Sequence, residues 1–175
     1  YGCPDPAANN YNDSATINDG SCSYNNVTLT PTLNANLSTA VNETSGLIWW
    51  NKKVWTHNDS GSEPALYCID NATGDTVKTV TLTNATNKDW EDITQDDKYI
   101  YIGDFGNNAN GNRTDLKIYR IKKSDVKNKT AITASVINFS YNDQTDFTAT
   151  GSNHTDFDCE ALIAYNDSLF LFSKD

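Results

Sequence analysis

The chain has 175 residues, with 13 Lys and Arg set against 23 Asp and Glu, for a net charge of −10. That charge repels phosphate backbones and argues against nucleic acid as a partner. No apolar run reaches the roughly 18 residues that a membrane-spanning helix needs, so no transmembrane segment is expected. Hydrophobic residues make up 37% of the chain, yet 4 Trp, 9 Tyr and 6 Phe suffice for a core.

The chain opens at Tyr1 with neither Met nor an apolar leader, which points to a processed or shortened product. Residues 1–23 contain almost nothing that can build a core: between Cys3 and Cys22 the large side chains are Tyr11 and Ile17. A Cys3–Cys22 disulfide is the expected fastener, and closing a loop of that length is worth about 3 kcal/mol in the chain-entropy account. Asp5, Asp13, Asn18 and Asp19 offer oxygen ligands inside the loop, a set that a calcium ion could use. The competing reading makes Asp5-Pro6 a helix start and Asn18-Asp19-Gly20 a tight turn.

Residues 24–44 are poor in Gly and aromatics and read as a linker, or as the source of a closing strand at Val27-Thr28-Leu29. From 45 to 175, short aromatic or β-branched runs alternate with Gly, Asn and Asp turns, and no helical period is evident. The segment SGLIWWNKKVWTHND (45–59) overlays WEDITQDDKYIYIGD (90–104) with a shift of 45, and CEALIAYNDSLFLFSK (159–174) matches both if its turn at Asn166-Asp167 is one residue longer. LYCID (66–70) and IYRIK (118–122) form a second matching pair, each leading to a further strand, TVKTVTL (76–82) and ASVINFSY (134–141). A repeated unit of four strands in about 45 residues is the pattern of a β-propeller blade. The expected fold is therefore all-β: an incomplete β-propeller of about two and a half four-stranded blades, preceded by a small disulfide-closed module. The rest of the ring would lie outside this chain. A β-sandwich of short strands is the alternative.

Cys68 and Cys159 sit in apolar, strand-like surroundings, where buried free thiols are favoured over a second bridge. The chain carries 23 Asn, and 12 of them open an Asn-x-Ser/Thr triplet: Asn12, Asn26, Asn36, Asn42, Asn58, Asn71, Asn84, Asn112, Asn128, Asn138, Asn153 and Asn166. Chance would supply roughly four or five. Ser14, Thr76 and Ser168 each follow an Asp and precede an aliphatic residue, a pattern of O-glycan acceptors in some secreted bacterial proteins. Glycosylation requires export, so the expected location is extracellular or at the cell surface. The bland reading is that Asn- and Thr-rich turns generate such triplets by themselves.

The opening module, with Gly2-Cys3, Asp5-Pro6, Ala8, Asn10-Tyr11-Asn12, Ala15 and Asn18-Asp19-Gly20-Ser21-Cys22, resembles an element of secreted, multi-domain bacterial surface proteins. Trp55-Thr56-His57-Asn58-Asp59-Ser60-Gly61, Asp89-Trp90-Glu91-Asp92-Ile93, Gly103-Asp104-Phe105-Gly106-Asn107-Asn108 and Asp158-Cys159-Glu160-Ala161 resemble segments of propeller proteins exported by type IX secretion. That resemblance implies a six-bladed propeller without a defined activity.

In the repeat, Glu91 and Glu160 occupy one register at the entrance to the innermost strand, and Gly46 fills it in the first copy. Two carboxylates there would converge near a channel mouth; a likeness to calcium-dependent lactonase-type propellers, which place a metal-binding Glu comparably, implies a Ca²⁺ site, with Asp92, Asp104, Asp158 and Asn107 completing a shell and His57 as a proton carrier. The alternative is that these carboxylates cap backbone N–H groups or pair with Arg113 or Lys174. Neither a phosphate loop nor a nucleophile motif is present. The leading expectation is a binding or adhesion protein that presents its loops to a glycan or protein surface, and not an enzyme. A calcium-dependent hydrolase, lactonase- or esterase-like, is second. A glycosylated surface-layer or filament component, assembled as a homo-oligomer, is third.

Overall fold

The computed structural model of the chain describes residues 1–174. It contains two units, 1–33 and a second beginning at Asn34, so the division falls within the 24–44 stretch. No strand forms at Val27-Thr28-Leu29, where Val27 and Leu29 are exposed.

The first unit is held without a hydrophobic interior. Cys3 and Cys22 are disulfide-bonded, and isolated parallel bridges join Gly2 to Asn18 and Cys3 to Tyr11. Asn10 does much of the remaining fastening: its Nδ2 donates to Ser21 O (2.6 Å) and its Oδ1 accepts from Ser23 N (2.8 Å). Changing both cysteines to Ser is expected to cost this unit about 3 kcal/mol, more than a segment without a core can absorb. Limited proteolysis followed by mass spectrometry should then show new cuts within residues 1–23 and none among the strands of the second unit. An unchanged cleavage map would show that the amide network suffices.

The second unit is all-β apart from one short helix. Its elements are β1 (Thr44–Trp50), β2 (Lys53–Asn58), β3 (Ala65–Ile69), β4 (Thr76–Leu82), β5 (Trp90–Gln95), β6 (Tyr99–Asp104), β7 (Lys117–Lys122), α1 (Lys123–Asn128), β8 (Ala131–Ile132), β9 (Ser135–Asn138), β10 (Asp158–Tyr165) and β11 (Ser168–Lys174). They make three sheets, none of them closed: β1-β2-β3-β4-β8, β5-β6-β7-β9 and β10-β11. All pairings are antiparallel except β4 with β8. Asn51 and Lys52, and likewise Asn166 and Asp167, have positive φ at both central positions, as a type I′ hairpin turn requires.

The first strands of the sheets stand side by side, β1 against β5 and β5 against β10. Alternation along each strand sends one set of side chains to each neighbouring seam. Trp55, Leu66 and Cys68 of the first sheet meet Ile93, Ile100, Ile102, Tyr119 and Ile121 of the second. On the opposite face of the second sheet, Tyr101 and Ile118 meet Leu162, Leu169 and Leu171 of the third.

Pairing fixes the repeat more sharply than the letters do. Thr44↔Asn58 corresponds to Trp90↔Asp104, each end 46 residues later, and that pair corresponds to Cys159↔Ser173, each end 69 later. The shift between the first two copies is thus 46, where 45 was expected, and the second and third copies match without an extra turn residue. The difference has consequences because a one-residue slip turns every side chain to the other face. It replaces Gly46 with Ser45 as the first-copy counterpart of Glu91. In all three sheets the ladder is interrupted just after this pair, by a bulge whose extra residue is Glu91 in β5 and Glu160 in β10.

Both remaining thiols, Cys68 and Cys159, are buried and free. Eleven of the twelve Asn-x-Ser/Thr asparagines are exposed. Asn58 is the exception: it is buried, and its Nδ2 donates to Ala40 O (3.1 Å).

Candidate metal centre

A bulge re-aims the extra side chain and lets it leave the pleat. At β5 and β10 this brings Glu91 and Glu160 together with Asp158, each offering a carboxylate oxygen within 4.8 Å of the others. Glu91 also belongs to a second group on the same criterion, with Asp59 and Asp89. Four carboxylates therefore surround that of Glu91: two from β10, one from just after β2 and one from just before β5.

The surrounding chain is built to allow it. The backbone of Gly106 lies against Glu91 and Asp89, and a Cβ there would collide with Glu91 Oε1 and Asp89 Oδ2. The loop after β6 is pinned by Arg113, whose guanidinium donates to Gly106 O (2.8 Å), Asp104 Oδ1 (2.8 Å) and Asp115 Oδ1 (3.1 Å). Asn107 crosses to the third sheet: its N–H donates to Asp158 Oδ1 (2.7 Å) and its Nδ2 to Phe157 O (3.2 Å). Asp158 is buried, and its second oxygen, Oδ2, accepts no hydrogen bond among the described residues. The positive charge nearest that oxygen is Lys174, at 3.4 Å, which also binds Glu160.

Glu91 shows the electrostatic result. Burial first, then the charges of Glu160, Asp89, Asp59 and Asp158, push its carboxyl up from 4.5 to about 8. The Asp89 carboxyl is also raised, chiefly by burial, with Arg113 opposing. At neutral pH Glu91 therefore carries a proton, and a divalent cation is the kind of ligand that would displace it.

The other expected ligands lie elsewhere. Asp92 accepts from Ile93 N (2.8 Å) and Leu162 N (2.7 Å), locking β5 to β10. Asp104 is the partner of Arg113. His57 is fully buried, edge-on to Trp90 with ring centroids 5.7 Å apart, and burial lowers its pKa, which suits a neutral packing group. Asp5, Asp13 and Asp19 join no converging carboxylate group among the described residues. Asp5 instead accepts from Ala7 N and Tyr24 OH, Asp13 from Ser14 Oγ, Asn18 from Gly20 N and Asp19 from Ser21 N, so these four cap local turns.

Asp59 and Asp89 were missed as members of the site. The sequence does carry a signal for one of them: Asp89-Trp90-Glu91 and Asp158-Cys159-Glu160 are the same Asp-x-Glu triplet in the same register. No family model matches the chain, and no curated protein is significantly similar to it.

Proposed function

We propose that the chain is part of a secreted or cell-surface binding protein whose three sheets are successive blades of a β-propeller, and that a Ca²⁺ ion seated at the entrances of the inner strands braces the blades that carry its binding loops. The observation that carries this reading is the convergence of Glu91 and Glu160, from equivalent bulges, on Asp158, whose buried Oδ2 has only the Lys174 ammonium beside it. Three carboxylates and the carbonyls beside them are the hard oxygen donors that calcium prefers. The blade arrangement is supported by the constant shifts of 46 and 69 residues and by the side-by-side first strands. The outer face of the third sheet, with Ile163, Phe170 and Phe172 exposed, is where the same rotation would place the next blade. Exposed Asn-x-Ser/Thr sites are compatible with an exported protein.

Terbium luminescence and calcium calorimetry test the ion site. Saturable binding is expected at pH 8.5 and weaker binding at pH 6, because Glu91 must lose its proton first. Glu160→Gln should weaken it by roughly tenfold or more, and Lys174→Met should strengthen it by removing the competing ammonium. Absence of binding at both pH values, or indifference to Glu160→Gln, would remove calcium from the proposal.

One observation favours a second reading. A carboxyl raised to about 8 within a group of acidic side chains is the arrangement of a general acid near neutral pH. Hydrolysis of simple lactones or aryl esters, lost in Glu91→Gln, would shift the assignment to a hydrolase.

A further inference from the structure

A cavity of about 500 Å³ lies away from the acid cluster, at the hairpin-turn end of the seam between the second and third sheets. Tyr99 and Tyr101 of β6 and Arg120 of β7 line one side, and Tyr165 with the Asn166-Asp167 turn lines the other. The first seam is filled differently at the equivalent place. There Trp55 and Trp50 pack with ring centroids 5.4 Å apart. Tyr101 takes the place of Trp55, because Trp55↔Cys68 corresponds to Tyr101↔Arg120. Asp96 takes the place of Trp50, because the turn pair Trp50–Lys53 corresponds to Asp96–Tyr99. Two indoles are thus replaced by one phenol and one carboxylate, a loss of aromatic bulk on the wall of the cavity.

Its chemistry is mixed in a specific way. The Arg120 guanidinium is stacked on Tyr99, 4.9 Å from the ring centroid. Among the described residues it forms no ion pair, and its buried Nε–H has no acceptor. The Nε–H is sealed from the cavity, so the guanidinium's terminal N–H groups, which have no carboxylate partner among the described residues, are the donors it can offer to an acceptor there. Tyr101 is fixed by donating to Asp96 Oδ2 (2.6 Å), while Tyr165 is 64% exposed and presents its ring to the opening. The exposed carboxylates of Asp97 and Asp167 supply acceptors at the rim.

We propose that this cavity is a carbohydrate subsite for one or two neutral pyranose rings, stacked on Tyr165 and hydrogen-bonded between Arg120 and the rim aspartates. Three aspartates in a chain of net charge −10 disfavour an acidic ligand, and Arg120 with Lys98 disfavours a cationic one. A neutral polyol satisfies donors and acceptors together, and its C–H faces suit an aromatic ring. The volume is within the range of small-ligand sites. The inference rests on the binding-protein reading and names the ligand class for it. The sugar has two possible sources, a glycan of another surface or one attached to this chain at Asn166 or Ser168.

The test uses the chain produced without glycosylation, titrated by calorimetry and ligand-observed NMR. The probes are gluco-, galacto-, manno- and N-acetylglucosamine disaccharides, with a uronic acid disaccharide beside them. Saturable binding of a neutral probe is expected, weakened about tenfold or more by Tyr165→Ala and by Arg120→Gln. Tyr165 is exposed, so an unchanged melting temperature in Tyr165→Ala keeps its result interpretable if Arg120→Gln misfolds. Protein glycosylated at Asn166 or Ser168 should lose binding if its own sugar fills the site, and retain it if the sugar comes from elsewhere. No neutral binding, preference for the uronic acid, or binding indifferent to both variants would overturn the proposal. Retention on protein-coated or cell surfaces, measured on the same sample, separates the outcomes: if it persists without sugar binding, the subsite falls and the binding-protein reading stands.

Discussion

Glu91→Gln is expected to stabilise the chain, and to do so increasingly as the pH rises above 5. In the unfolded chain this carboxyl titrates near 4.5, whereas in the folded one it is held at about 8. Between those values the folded state binds a proton that the unfolded state does not, so raising the pH favours unfolding. Glu91 thus contributes a loss of stability that begins near pH 4.5 and is complete above 8. The full shift, discounted for a group that is only part-buried, corresponds to something on the order of 3 kcal/mol at pH 8.5. For a domain of this size that is a rise in melting temperature of roughly 6–12 °C in the variant. Gln keeps the shape and hydrogen-bonding capacity of the protonated acid, so little should change at pH 5. Thermal melts at pH 5, 7 and 8.5 check the sign, and a variant less stable than the parent at pH 8.5 would contradict it. Calcium should stabilise the parent at pH 8.5 and leave Glu91→Gln much less affected, because the ion and the amide relieve the same repulsion.

Trp90→Ala is the second large effect, in the opposite direction. Trp90 is fully buried, donates its Nε1–H to Thr86 O (3.0 Å), and packs against His57 and Tyr119 with centroids 5.7 Å away in each case. Removing the indole empties the seam between the first two sheets and should cost about 3–5 kcal/mol. Trp90 also immediately precedes the bulge, so its loss frees Glu91 to swing toward water. Two readouts are therefore expected to move together: a lower urea midpoint, and a Glu91 titration shifted back toward the ordinary carboxylate range, followed by NMR of its side-chain carboxyl. Trp90→Phe retains most of the buried area and loses only the bond to Thr86, at about 1 kcal/mol. Loss of stability with an unmoved Glu91 would mean that the bulge is held by Asp104 and Arg113 alone.

Much of the architecture was legible because strand alternation and turn chemistry are local. Tyr99-Ile100-Tyr101-Ile102 is apolar on both faces because each face meets a different sheet, through Ile100 and Ile102 on one side and Tyr101 on the other. Asn166-Asp167 reads as a turn because both residues tolerate positive φ. The helix α1 and the parallel strand β8 were not anticipated. Val126 is the one buried residue of α1, so its six residues show no helical stripe, and two residues of β8 are too few for an alternating pattern. Glu91 and Glu160 stood out as recurring acids in an apolar repeat, but their bulges did not, since a bulge is a property of two paired strands.

By itself, the sequence determined the class of the fold, the disulfide that replaces a core in the first unit, and the recurrence of two glutamates at one structural position. These follow from composition, spacing and short-range geometry. Only the tertiary structure decided that Ser45 and not Gly46 is their counterpart, that Asp59 and Asp89 join them, that His57 is sealed against Trp90, and that Asp96 stands in the place of Trp50 on the wall of a cavity. Each of these depends on which face of a strand meets which sheet, and a single residue of register, set by pairing across the chain, reverses it.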